Sequence, residues 1–239
     1  MAGIAPAELA FAGDGTPYAA AYDDIYHSTL GALAQARHVF LGGNGLRGDN
    51  PRWRERERFA ILETGFGLGA NFLATWQAWR DDPRRPRRLH FFSVEKHPFR
   101  PADLARLHEA LPEVAPLAAQ LRAAWPSLVA GCHRLHFEGG RLVLTLCFGD
   151  ARSAVAGIGG SFDAFYLDGF APEKNPEMWS AALIDDLAWL AAPGATLATW
   201  TIAGELRRRL ASADFAVERR AGFGYKREML TATHPGAAH

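Results

Sequence analysis

The stretch FYLDGFAPEKNPEMW, Phe165–Trp179, decides the fold when it is read with ILETGFGLGANF, Ile61–Phe72, upstream of it. In the first, an apolar run from Phe162 to Leu167, with one Asp inside, reads as a strand that ends on an acid, Asp168. A glycine and a rigid Phe-Ala-Pro corner follow, and Asn175-Pro176 has the composition of a helix start, Asn as N-cap and Pro at the first helical position. In the second, the strand Phe59–Glu63 runs into a glycine-rich turn and then a helix over Asn71–Arg80. Strands that deliver acids and glycines to tight loops are how open α/β sheets present binding groups.

Outward from these two segments the chain alternates strand and helix. Leu89–Val94 is a second strand. A helical region over Ala102–Trp125 is broken at Pro112 and Pro116. His136–Glu138 and Leu142–Phe148 flank Gly139-Gly140 as a hairpin. A helix over Pro176–Leu190 places Leu183, Ile184, Leu187 and Leu190 on one face and stops at Pro193-Gly194. Ala195–Ile202 is a strand, Gly204–Ala213 a helix, and Phe215–Arg219 and Arg227–Thr233 two closing strands. Alternation implies a parallel sheet with right-handed crossovers. The short link between the last two strands requires an antiparallel pair. Such a sheet resembles the class I methyltransferase fold, and the expectation is α/β, Rossmann-like, mostly parallel with an antiparallel last strand, over residues 59–233. Residues 1–58 are expected to form an N-terminal extension on the active-site mouth without sheet alternation, with a helix over Ser28–His38 capped by Ser28 or Thr29. The charged run Arg52–Arg58 reads as solvated, and residues 234–239 as a disordered tail.

Composition narrows the function classes. Lys+Arg and Asp+Glu are both 26 in a chain of 239 residues, so bulk charge does not select a nucleic-acid partner, and any such contact needs a local patch. No apolar run approaches the roughly 18 residues of a membrane span, and the N-terminus lacks the basic region of a signal peptide. Cys132 and Cys147 make no disulfide framework or metal spacing; both read as buried small apolar residues of a reducing, cytoplasmic compartment. The histidines form no metal spacing, so no metal is expected.

The turn Glu63-Thr64-Gly65-Phe66-Gly67-Leu68-Gly69 has G-x-G-x-G spacing preceded by an acid. A carboxylate there would repel a pyrophosphate but suits a cationic ligand such as the ammonium and sulfonium of S-adenosyl-L-methionine. Glu95, closing the second strand beside Lys96, can accept from ribose hydroxyls. Asp150, after Leu142–Phe148, can accept from an adenine amine or cap the next helix. Asp168 should face the transferred methyl, where it would orient an amine and accept its proton.

The ordered strings TPYAAAYDDIYHS, ARHVFLGGN, LETGFGLGANFL, FFSVEKHPF, FYLDGFAPEKNPEMW, LATWTIAGELRRRL and GFGYKREML, spanning Thr16 to Leu230, resemble the methyltransferase of the 5-methylaminomethyl-2-thiouridine tRNA-modification family. His38 and Trp200 depart from that pattern. The resemblance implies S-adenosyl-L-methionine as donor and the 5-aminomethyl group of a wobble (2-thio)uridine in the tRNA anticodon loop as acceptor. It places Glu63, Gly65, Gly67, Gly69 and Asn71 around the methionine part. Glu95 with Lys96 falls at the ribose, Asp150 at the adenine, and Asp168 at both cofactor and acceptor amine. Tyr22, Asp23, Asp24 and Tyr26 would wall the pocket, Phe170 or Tyr26 would stack on the base, and Lys226 and Arg227 would meet the RNA backbone. Arg84–Arg88 and Arg207–Arg209 are further candidates for phosphate contact. In many bacteria the methyltransferase of this family is fused to an FAD-dependent oxidase and elsewhere it stands alone, so the resemblance implies an oxidase partner, fused or separate; these residues hold no FAD site, and no oxidase activity is expected of them. The alternatives are a methyltransferase of small amines, a nicotinamide oxidoreductase, disfavoured by Glu63, and a non-catalytic binding scaffold.

Overall fold

The computed structural model describes residues 4–235. Its main sheet begins where the alternation does. Strand β4, Arg58–Glu63, sends Phe59 and Ile61 to one face and Ala60 and Leu62 to the other, all at most 1% exposed. Both faces are therefore covered, and the strand is apolar throughout. One face packs under the aromatic helix α2, Ala70–Asp81, with α3, Pro101–His108, and α4, Ala115–Ala123. The other packs on α5, Ala151–Ala156, α6, Ala181–Trp189, and α7, Gly204–Ser212.

The remaining strands are β5, Arg88–Glu95; β6, Gly131–Phe137; β7, Leu142–Phe148; β8, Phe162–Tyr166; β9, Ala191–Thr199; β10, Ala216–Ala221; and β11, Glu228–His234. They pair in the order β10-β11-β9-β8-β4-β5-β7-β6. The five strands from β9 to β7 are parallel, β11 and β10 are antiparallel as expected, and β6 runs antiparallel to β7 on the other edge. The chain winds outward from β4 through β5 to β7, then returns to start β8 on the other side of β4. That reversal opens a crevice at the carboxyl ends of β4 and β8, where ligands bind in such sheets.

Several local expectations are corrected. The N-terminal segment contains a small antiparallel sheet: β1, Ala10–Phe11, β2, Pro17–Ala19, and β3, Asp24–Ile25. Its helix is α1, Ala32–Gln35, continued as a π-helix over Ala36–Gly42; Gly31, not Ser28 or Thr29, stands at its N-cap. Asn175 makes no side-chain cap. Pro176–Trp179 is one 3₁₀ turn, and the following helix is capped separately by Ser180, which accepts from the Leu183 amide. That helix ends at Trp189, before Pro193, which lies inside β9. The charged run is not simply solvated. Trp53 is 1% exposed, and Trp53 and Arg54 both donate to Asp82, at 3.0 and 2.9 Å. Cys132 is exposed rather than buried and is disulfide-bonded to Cys147, its direct cross-strand partner between β6 and β7. His234 is not tail: it ends β11 and is buried, while 236–239 lie outside the described residues.

Candidate active site

A cavity of about 750 Å³ occupies the crevice at the carboxyl ends of the parallel strands. It is lined by Gly65, Gly67, Asn71, Glu95, Lys96, Asp150 and Asp168 from the main domain. Tyr22, Asp24, Tyr26, Phe170 and Lys226 wall it on the other side. Glu63, Gly69 and Arg227 are not among its lining.

Glu63 is 0% exposed and sits beneath the site. Its Oε1 accepts from Asn71 Nδ2 at 2.8 Å and its Oε2 from Ser93 Oγ at 2.6 Å. Burial holds its carboxyl well above the usual carboxylate range, with the Asp168 charge adding to the rise and the two donors opposing it. The acid read as a partner for a ligand ammonium is thus a support for Asn71. The same Asn71 amide donates to Asp168 Oδ2, also at 2.8 Å, so one NH₂ group bridges two acids. Ser93 was missed. Its signal was a lone hydroxyl inside the apolar run of β5, which implies a buried polar partner.

Asp168 is held on every side. Its Oδ1 accepts from the Gly169 amide at 2.9 Å. Its backbone is clasped by Thr64, whose hydroxyl donates to the Asp168 carbonyl at 2.6 Å and accepts from the Asp168 amide at 3.1 Å. Burial pushes the carboxyl up to about 6, against the lowering effect of the Asn71, Gly169 and Trp200 donors. Asp168 is therefore ionised at neutral pH yet close enough to neutrality to exchange a proton there.

The glycine turn has separable parts. A Cβ on Gly65 would lie 3.1 Å from the Asp168 carbonyl oxygen, so the close approach of β4 and β8 requires glycine there. Gly67 has φ +54°, and its amide donates to Glu95 Oε2 at 2.7 Å. Gly69, at φ +79°, is the left-handed entry to α2 and packs on Phe66 and Leu121 instead of the cavity. Glu95 Oε1 accepts from the His97 amide at 2.8 Å, and burial raises its pKa. Lys96 is paired with Glu177 at 3.2 Å. Asp150 caps α5, its Oδ1 accepting from Ser153 N at 3.0 Å and from Ser153 Oγ at 3.1 Å, which leaves Oδ2 for a ligand.

The N-terminal wall is tied to the loop after β8. Tyr22 stacks on Phe170 at 4.5 Å between centroids, and Tyr26 meets Phe170 edge-on at 5.3 Å and Phe99 at 4.9 Å. Asp24 Oδ2 accepts from the Ala171 amide at 2.9 Å. Lys174, which sequence reading passed over, is ion-paired with Asp23. Trp200 donates from Nε1 to the Gly169 carbonyl at 3.2 Å, and Lys226 Nζ lies 3.4 Å from the Trp200 ring centroid.

The Arg84–Arg88 cluster is at the other end of the molecule. It leads into β5, with Arg88 as the strand's first residue, whereas Glu95 ends it. Strands of this length separate the two edges by about 20 Å. Arg84 and Arg87 pair there with Glu55 and Glu57, so the cluster does not belong to the cavity mouth.

The donor set fits S-adenosyl-L-methionine. Acids face the cavity from the ends of β5 and β8, an uncapped helix entry opens beside Gly67, and the space exceeds one ligand of that size. Residues 112–235, just over half of the chain, match the family described as S-adenosyl-L-methionine-dependent methyltransferase. The chain is 60% identical over 236 residues to the tRNA 5-methylaminomethyl-2-thiouridine biosynthesis bifunctional protein MnmC of Azoarcus sp. (strain BH72), covering 99% of this chain and 37% of that protein. It is 58% identical to the protein of the same name from Aromatoleum aromaticum, covering 97% of this chain and 36% of that one. Thus the chain spans a little over a third of these relatives. The crystal structure of MNMC2 from Aquifex aeolicus superposes with a TM-score of 0.74 at 24% identity, over 98% of this chain and 71% of that one, and shares the fold. Site geometry, fold and family match agree: the chain belongs to the S-adenosyl-L-methionine-dependent methyltransferases.

Proposed function

We propose that the chain methylates the primary amine of the 5-aminomethyl group on the wobble (2-thio)uridine of tRNA. The observation that carries this reading is Asp168, a carboxylate poised near pH 6 and fixed by Asn71 at the inner end of an aromatic-walled cavity. The naming of the relatives at 60% and 58% identity supports the acceptor. When bound, S-adenosyl-L-methionine supplies an electrophilic methyl: the acceptor nitrogen's lone pair forms the N–C bond, the S–C pair stays on sulfur, and the nitrogen then sheds a proton. The protein's own groups do the rest. Asp168 orients the amine and accepts that proton. Glu95 and Asp150 hold the ribose and adenine, with Lys96 at the rim and Gly65 and Gly67 making room. Asn71 positions Asp168, and Glu63 positions Asn71. Tyr22, Tyr26 and Phe170 exclude water and flank the extruded base, which is cheap to extrude from a single-stranded loop. Arg227, next to the cavity-lining Lys226, and the exposed Arg207 and Arg208 of α7 are candidates for phosphate contact.

The relatives are called bifunctional and are much longer than this chain, which supports an oxidase partner, fused or separate, that supplies the aminomethyl substrate; the reaction belongs to the cytoplasm, with the tRNA it acts on. The neutral net charge favours one competing reading, a methyltransferase of small amines. The test is incubation with methyl-labelled S-adenosyl-L-methionine and tRNA from cells lacking the last step, followed by digestion to nucleosides. Label on 5-methylaminomethyl-2-thiouridine is expected. Label only on free amines would establish the competing reading.

A further inference from the structure

Lys226 differs from the other cations of the cavity. Lys96 is paired with Glu177 at 3.2 Å and Arg152 with Asp186 at 3.9 Å, both on the side of the cavity where Glu95 and Asp150 stand. Lys226, on the loop between β10 and β11, is exposed and forms no ion pair among the described residues. Instead its ammonium is seated 3.4 Å from the centroid of Trp200. The N–H end of the same indole is fixed to the Gly169 carbonyl beside Asp168. One indole therefore carries a cation on its face and the loop of Asp168 at its edge.

This arrangement bears on an electrostatic problem of amine methylation. Only the neutral amine has a lone pair to donate. An ordinary alkylamine is mostly protonated at neutral pH, and a carboxylate beside it, as Asp168 is, stabilises the ammonium further. A neighbouring fixed cation does the reverse. We propose that Lys226 is an acceptor-site residue whose ammonium, held on Trp200 beside Asp168, keeps the incoming primary amine neutral. The proposal rests on the amine-methylation reading above and replaces an RNA-backbone role for this side chain.

Acids on two other elements act on Lys226. Burial lowers its pKa from the usual lysine value, while Asp24 from β3 and Glu173 from the loop after β8 oppose that fall. On its own loop the neighbours are Tyr225 and Arg227. The face of Trp200 favours the ammonium over the amine. On the acceptor side the amine would meet Asp168, with His27 kept toward neutral by burial.

The test uses single-turnover methylation of aminomethyl-bearing tRNA at saturating donor, from pH 6 to 9.5, for the wild-type chain, Lys226→Met and Lys226→Arg. Affinity for the same tRNA is measured against salt. Two ammonium groups about 7 Å apart shift one another by about 0.4–1.7 pH units for effective dielectrics from ~80 down to ~20. The acidic limb of Lys226→Met is therefore expected to move up by about one unit, with a roughly tenfold loss at pH 7 that recovers near pH 9.5. Lys226→Arg, which keeps the charge, should stay near the wild-type profile. The salt dependence of tRNA affinity should be unchanged in both. An unmoved limb with weaker binding and a salt slope reduced by about one would make Lys226 a phosphate contact and overturn the proposal. So would an equal shift in the Arg and Met variants, which would remove charge as the cause. Failure of the wild-type chain to methylate this tRNA at any pH would overturn the parent reading, and the proposal with it.

Discussion

Asn71 donates to Glu63 and to Asp168 from one amide nitrogen, and much of the site's chemistry hangs on that bridge. Replacing it with Leu removes a donor from two buried acids. The expected cost is about 1–3 kcal/mol in chemical denaturation. Because the Asn71 hydrogen bond lowers the Asp168 pKa, its loss should move the Asp168 limb of the pH–rate profile above 6. Asp168→Ala should spare cofactor affinity in calorimetry and cut single-turnover rate by about 100-fold or more; near-normal turnover would remove Asp168 from the chemistry. The same variant tests a stability sign. A carboxyl at about 6 in the folded protein and 3.8 in the unfolded chain binds its proton more tightly when folded. Its ionisation therefore lowers stability as pH rises from 3.8 through 6, and above that the loss is complete. Relative to wild type, Asp168→Ala should gain about 1–3 kcal/mol between pH 3.5 and pH 7, read from denaturation at both pH values.

At the scale of elements, the strand ends and the first turn of α2 make the site. Gly69 enters that helix at φ +79°, with Phe66 ring carbons 2.9 Å from where a Cβ would stand. Gly69→Ala should destabilise by about 1–2 kcal/mol through backbone strain alone, lowering the melting temperature whether or not cofactor is present. Glu95→Ala is different in kind. It leaves the Gly67 and His97 amides unpaired and should weaken cofactor binding by about 1–3 kcal/mol. The loop after β8 and the N-terminal sheet hold one another through Phe170, Asp24 and Lys174. Phe170→Ala removes both tyrosine contacts, each worth about 0.5–1.5 kcal/mol beyond its buried area. Faster amide exchange across residues 16–30 is the expected result, and unchanged exchange would show the wall is held without that ring.

For the molecule as a whole, the sheet has a working edge and a structural edge. Acids, glycines and aromatics gather at the carboxyl ends, and the arginines of 84–88 sit at the opposite end among Glu55 and Glu57. Neutralising Arg84 and Arg87 together should leave tRNA affinity and its salt dependence unchanged, whereas Arg227→Ala should weaken binding and lessen that dependence. Nothing in the net charge of +0 distinguishes these clusters. Among the described residues, no helix is long and apolar enough to cross a membrane.

Local chemistry determined much of this by itself. Buried parallel strands must be apolar on both faces, as in Phe59–Leu62, and helices must stripe, as in Leu183–Leu187. The alternation of the two was therefore readable along the chain, as were the acids that end β5 and β8 and the glycine turn after β4. The antiparallel closure followed from a link too short for any crossover. Partners distant in sequence were not readable, because a side chain's role depends on what the fold brings against it. Glu63 and Asp168 look alike as acids after strands. One is sealed beneath Asn71 and Ser93 and the other lines the cavity. Trp53 sits inside a charged run, and only the approach of Asp82 shows why it is buried. Cys132 and Cys147 gain a relation through the register of β6 on β7. Lys226 stays exposed, and only the pairing of β9 with β11 brings Trp200 beside it to seat its ammonium. Tertiary structure decided these because burial and charge proximity are properties of pairs, and the pairs are made only when the sheet is assembled.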